Sequence, residues 1–176
     1  MVEPSHAEHE VAAFRAAKDT FLAQDPHSPL AHEQRHTFQG LAYYPYNPAL
    51  RLELPLDRDV PDGVVAVDTS TGETQSYQRA GMIRFAVDGH PAELTLYQGE
   101  QGELFLPVRD ATSGTETYGA GRYLEPHRLD DGRVLVDFNE LYNPYCAYNE
   151  AWSCPLPPRE NWLTVPIRAG EKTFAH

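Results

Sequence analysis

Between Asp110 and Asn161 the chain gathers side chains that titrate or form hydrogen bonds: Asp110, Thr112, Thr117, Tyr118, Arg122, Tyr123, Asp137, Asn139, Asn143, Cys146, Tyr148, Cys154 and Asn161. Gly, Pro and aromatic residues separate them, so much of the segment reads as turn and loop. Loops held on a rigid scaffold are where binding and catalytic groups concentrate. Arg122 would offer a planar fork of donors to a carboxylate or phosphate on a ligand. Tyr118 and Tyr123 would supply flat apolar walls with polar tips. Asp110 or Asp137 would serve as acid or base. The alternative is internal. Arg122 then pairs with Asp110 or Asp137, Thr and Ser close turns, and the same residues knit long loops onto a scaffold.

Two further groups carry potential chemistry. Cys146 and Cys154 are the only cysteines. Two thiols complete neither a tetrahedral zinc site nor a disulfide framework, which leaves inert buried thiols, a reversible bridge, or a nucleophilic Cys146 with a distant base. His32-Glu33-Gln34-Arg35-His36 matches H-E-x-x-H, the zinc-hydrolase spacing on a helix. Its context is poor, because the segment is short, opens at a proline and has no obvious third ligand. Zinc hydrolysis is the remote alternative, and no metal is expected. Without a Gly-rich phosphate loop the sequence assigns no cofactor, flavin included.

These groups need a scaffold. Residues 7–23 have apolar positions at helical spacing, with Ser5 as cap and Glu8 three residues on. Ser28-Pro29 predicts a second helix over 29–36. From residue 38 the texture changes to short alternating runs between turn signals. Strands are expected at 50–54, 63–68, 75–87 with a bend at Gly81, 92–98, 103–108, 121–129, 133–138 and 162–167. Asp88-Gly89 and Asp130-Asp131-Gly132 mark hairpins. Asp137 and Asn139 would share a strand face opposite Phe138. The expected fold is mainly β: an antiparallel meander closed into a barrel or barrel-like sandwich. One or two N-terminal helices occupy residues 1–37, a β body spans 38–176, and a Pro-rich C-terminal strap seals it.

The chain has 176 residues, enough for one domain with a real core. Its formal charge is −12, from 26 acidic and 14 basic residues with no Lys/Arg cluster. Nucleic acid and anionic membranes are therefore not expected partners. The N-terminus lacks a basic region followed by an apolar one, so a cytoplasmic location is expected.

The blocks DATSGTETYGAGRYL, LVDFNELYNPYCAY, CPLPPRENWL and IRAGEK, with SPL, FQGLAYY and YQRAGMIRFAVDG earlier, resemble a bacterial and archaeal family of unknown function, number 1684. The resemblance runs from the first helix to Lys172. It supplies no reaction, cofactor or catalytic residue. The sequence reading is thus a small-molecule-binding β protein, conceivably an enzyme, with a polar-aromatic pocket built from residues 110–161. A non-enzymatic structural or interaction module is the alternative.

Overall fold

A computed structural model describes residues 3–176. Helix α1 covers His6–Gln24, and the Ser5 side chain accepts a hydrogen bond from Glu8 N at 3.2 Å, as the capping pattern requires. Helix α2 covers His32–Thr37, three residues later than the Ser28-Pro29 pair predicts. The Ser28 hydroxyl is used otherwise. It donates to Leu22 O at 2.7 Å and accepts from Leu30 N, which ties the linker back onto α1.

Eight strands follow: β1 Arg51–Leu54, β2 Val64–Asp68, β3 Thr74–Val87, β4 His90–Gln98, β5 Leu104–Val108, β6 Arg122–Leu124, β7 His127–Arg128 and β8 Val134–Asp137. They form two antiparallel sheets, one five-stranded in the order β2-β3-β4-β5-β6 and one three-stranded in the order β1-β8-β7. The larger sheet is the expected meander. The smaller is not, because β1 reaches across the chain to pair with β8, Arg51 opposite Asp137. Together they make a barrel-like sandwich. Ile83, Leu94, Leu96 and Leu106 from one sheet and Val134 and Val136 from the other share a core with Phe138, Ile167 and Ala169. Fully burying a side chain of this size contributes roughly 1.5–3 kcal/mol, so this core dominates stability.

Asp88 at φ 49° and Gly89 at φ 79° turn the β3–β4 hairpin, with both central residues left-handed. The register of β3 shifts between Arg79 and Gly81, which gives the expected bend as a β-bulge. Three expected strands come out differently. The run 121–129 divides into β6 and β7, which belong to different sheets; Pro126 has no N–H to continue a ladder. β8 stops at Asp137, whose carboxylate accepts from Asn139 N at 3.0 Å and turns Phe138–Glu140 into a 3-10 turn. The segment 162–167 is an extended strap rather than a strand. It is held by Leu163 N to Arg109 O at 2.7 Å and Ala111 N to Val165 O at 3.1 Å. Pro166 cannot donate, and its partner segment turns away after Asp110.

Gly121 launches β6 at φ +106°, and a Cβ there would stand 2.6 Å from Val108 O and 2.7 Å from Pro157 Cγ. Gly121→Ala is expected to cost about 2–4 kcal/mol, from left-handed strain plus overpacking. Urea denaturation reads this as a lower midpoint with an unchanged slope.

Candidate functional site

The structure places the residues named from sequence in several separate buried groups. Arg122 opens β6 and is fully buried. One guanidinium nitrogen donates to Ala169 O and to Glu171 O at 3.0 Å, and another donates to Ile167 O at 2.8 Å and lies 3.6 Å from Asp110 Oδ1. Asp110 accepts from Thr112 Oγ1 at 2.9 Å and Ile167 N at 2.5 Å, and Thr112 Oγ1 lies 2.9 Å from Thr117 Oγ1. Burial opposes the charge on Arg122 and lowers its pKa, while Asp110 favours the charge. This group fastens the C-terminal strap to β6.

Asp137 is in a different group. It pairs with Arg51 at 2.8 Å and accepts from Asn139 Nδ2 at 2.9 Å. Asn139 exchanges two bonds with the backbone of Asn47, at 2.8 and 2.9 Å. Asp137 and Asn139 thus face neither water nor a hollow; they pin the residue 47 turn. In a third group, buried Glu171 accepts from Lys18 Nζ, from Tyr148 OH at 2.5 Å and from Asn143 N at 2.9 Å, while Asn143 Nδ2 donates to Lys172 O at 3.0 Å. Asn161 stands apart again, joining Thr95 N, Thr95 O and Pro107 O at 2.8–2.9 Å.

Cys146 and Cys154 are free and buried. Cys154 Sγ accepts from Cys146 N at 3.4 Å, and burial pushes its thiol up to about 11. A thiol held protonated is a poor nucleophile. Tyr118 OH points at Cys146 Sγ, 3.6 Å away, and the Tyr123 hydroxyl donates to Pro155 O. His32 and His36 stack edge-on at 4.5 Å on a six-residue helix with no buried residue. Among the described residues no group of three or more His, Cys, Asp and Glu converges to hold a metal ion.

A cleft of about 280 Å³ opens beside these groups, lined by Phe14, Leu124, Glu125, His127, Glu140 and Tyr142. The break between β6 and β7 supplies Glu125 and His127, and the turn after β8 supplies Glu140 and Tyr142. Helix α1 supplies Phe14, which is 40% exposed, an apolar wall open to solvent. Tyr142 is fixed by paired backbone bonds to Tyr123 at 2.8 and 3.0 Å, and its hydroxyl donates to Glu125. Lys18 Nζ lies 4.7 Å from the centre of the Tyr142 ring, between this cleft and buried Glu171.

Burial raises the pKa of Glu140, and the neighbouring Asp137 charge adds to it. Burial likewise raises Glu125, opposed by its bond from Tyr142 and by Lys18. Glu125 keeps more of its surface in contact with solvent than half-buried Glu140. Lys18, Glu125, Glu140, Tyr142 and Glu171 lie outside the candidates that the sequence marks. The legible signal was Glu125-Pro126-His127, a titratable pair astride a strand break.

The family model described as "Protein of unknown function (DUF1684)" matches residues 36–172. The chain belongs to the DUF1684 family. A similar solved structure is the solution NMR structure of an uncharacterized protein of the archaeon Haloarcula marismortui. It is 38% identical, with 95% of this chain and 94% of that one covered and a TM-score of 0.71. No curated protein matches the chain. The family blocks coincide with the buried groups. Arg122, Asp137, Asn143, Asn161 and Glu171 each lie in one of them and each ties distant backbone segments together.

Proposed function

We propose that this DUF1684 protein binds a small polar molecule in the cleft between α1 and the β6–β7 break, with Glu125 and Glu140 as its proton-exchanging groups. One observation carries this reading: two carboxyls with raised pKa values flank one cleft that also holds an imidazole, a phenol and an exposed phenylalanine. Perturbed carboxyls concentrate at sites that handle protons, because a carboxyl whose pKa is raised toward the working pH transfers a proton more readily. The test is a fragment screen followed by amide NMR. Binders should shift resonances of residues 124–127 and 140–142 in the parent and lose affinity in Tyr142→Phe and Glu140→Gln. A screen that moves none of those resonances would refute the reading.

The same carboxyls make a stability prediction. A raised folded pKa means that the native state holds these protons more tightly than the unfolded chain. Their contribution is therefore greatest at low pH and is lost as pH rises from the ordinary glutamate range through the folded pKa. Glu140→Gln should melt higher than the parent at pH 8 and show little difference at pH 4. Thermal melts across that range check it, and a variant that is less stable at pH 8 contradicts it.

A second reading, a structural module without a ligand, is favoured by how many of the buried polar groups of residues 110–171 bond within the chain itself. Under it the glutamate substitutions would raise stability and change nothing else.

A further inference from the structure

We infer that Trp162, with Arg109 and Arg159, forms a second site, one that takes a phosphate-bearing small molecule. Trp162 is 41% exposed, although its neighbours Asn161 and Val165 are buried. The guanidinium carbons of Arg109 and Arg159 lie 4.4 and 4.5 Å from the centre of its ring. The two charges are therefore less than about 9 Å apart, close to the ~8 Å screening length at physiological salt.

What sets this pair apart is the absence of partners. The guanidinium groups of Arg15, Arg35, Arg51, Arg79, Arg84, Arg122, Arg128, Arg133 and Arg168 all donate to a carboxylate, carbonyl or amide oxygen. Among the described residues only Arg58, Arg109 and Arg159 have guanidiniums with no such bond. Two of those three are held over one indole. A guanidinium over an aromatic face keeps its donor fork for a ligand, and such forks match phosphate oxygens.

The platform is rigid. Trp162 Nε1 donates to Pro157 O at 2.9 Å, and Arg109 exchanges backbone bonds with Asn161 and Leu163 at 3.1 and 2.7 Å. Asn161 is in turn bonded to β4 and β5. The Trp162 ring and the backbone of Arg109 are thereby positioned before any ligand arrives, which lowers the entropic cost of binding.

Trp162 also stands between two clefts, of about 480 and 350 Å³. Both fall within the range that holds a small ligand. Arg159 lines the smaller; the larger, on the other side of Trp162, has Phe85, Ala92 and Leu163 in its wall, apolar surface suited to the organic part of such a molecule. Glu93 and Glu160 line the larger cleft and Asp68 the smaller; Glu160 is already engaged by Arg79 at 3.3 Å and by the Tyr97 hydroxyl, and Glu93 lies 3.5 Å from Arg84. The overall charge of −12 does not forbid an anion here, because Glu93 and Glu160 each face an arginine of their own and acids beyond the screening length contribute little. Two fixed positive charges ask for more than one negative charge. A phosphate monoester carries roughly −1.5 to −2 near neutral pH, whereas a monocarboxylate carries one. This site shares no lining residue with the Glu125–Glu140 cleft and does not depend on it.

The test uses the fact that the chain has two tryptophans, so that Trp152→Phe leaves Trp162 as the single reporter. At low salt, inorganic pyrophosphate should change its fluorescence saturably. Calorimetry on the parent protein should detect pyrophosphate and adenosine diphosphate without any substitution. Affinity should fall about tenfold in Arg159→Ala and again in Arg109→Ala, the loss of one charge-assisted contact each. It should be unchanged in Arg58→Ala and weaken with added sodium chloride. Thermal melts of the arginine variants confirm that they remain folded. Any of three results would overturn the proposal: no saturable response to either phosphate probe, a response to succinate alone, or undiminished affinity in the Arg109→Ala/Arg159→Ala double variant.

Discussion

Replacing Arg122 by alanine should cost about 3–5 kcal/mol, the usual penalty for removing one member of a buried ion pair. Asp110 would be left in the interior without its cation, and three carbonyls of the strap, Ile167 O, Ala169 O and Glu171 O, would lose their donors. Natural domains are stable by about 5–15 kcal/mol, so the variant would sit near the limit of folding. At this chain length each kcal/mol moves Tm by roughly 2–4 °C, so the expected fall is on the order of 10 °C. Arg122→Met, which restores apolar volume but not the donors, should recover part of that. Adding Asp110→Asn to Arg122→Met should recover more, because the orphaned charge is then removed as well. If Asp110→Asn deepened the loss in the Arg122→Met background, the carboxylate would be stabilised by its bonds from Thr112 and Ile167 N rather than by the guanidinium.

That expectation differs from the role the sequence invites for Arg122. Arginine beside two tyrosines and an aspartate reads equally well as a ligand clamp or as an internal tie. What decides between them is the path of the strap, and sequence periodicity carries no trace of it. Residues 162–171 alternate weakly and contain Pro166, so nothing in their spacing shows that three of their carbonyls turn toward one guanidinium. The fold was more legible where local chemistry acts alone. Asp88-Gly89 specifies its hairpin from two residues, Ser5 and Glu8 specify the start of α1, and the runs at 64–68, 90–98 and 104–108 are strands wherever they pair. It was less legible where two local signals compete. Ser28-Pro29 has the composition of a helix start, yet its hydroxyl bonds to Leu22 O and the helix begins later. Asp137 continues a strand pattern but caps a turn. The β1–β8 pairing joins residues eighty or more positions apart, and no pattern within either strand specifies the other as its partner. Glu125 and Glu140 are hidden in the sequence for a related reason. Each is an ordinary surface residue by type, and only their convergence with Tyr142 and Phe14 makes them a site.

Glu171→Ala should be as damaging as the Arg122 substitution and fail in a different place. This carboxylate is buried and has three partners: Lys18 on α1, and Tyr148 and the backbone of Asn143 on the loop after β8. Removing it leaves an ammonium only 15% exposed, a phenol and an amide with no acceptor, each a desolvated group of about 1–3 kcal/mol, more for the charged one. The ammonium has an escape that the others lack, since α1 can swing outward and return Lys18 to water. Helix α1 is otherwise held by few anchors: buried Val11 and Leu22, Arg15 bonded to Tyr44 O and Asn139 O, and Asp19 accepting from Leu41 N. The loss should therefore appear first as faster amide exchange along α1, at denaturant concentrations where the core strands β3 and β4 remain protected. Lys18→Met should show the reverse ordering. It keeps the apolar stem against Tyr142 but strands the carboxylate inside, where no helix movement can relieve it, so exchange should rise in the segment around Asn143 and Glu171 rather than along α1. If both variants loosened the whole molecule at one common rate, α1 would be an inseparable part of the core, and the docking role assigned to Glu171 would be wrong.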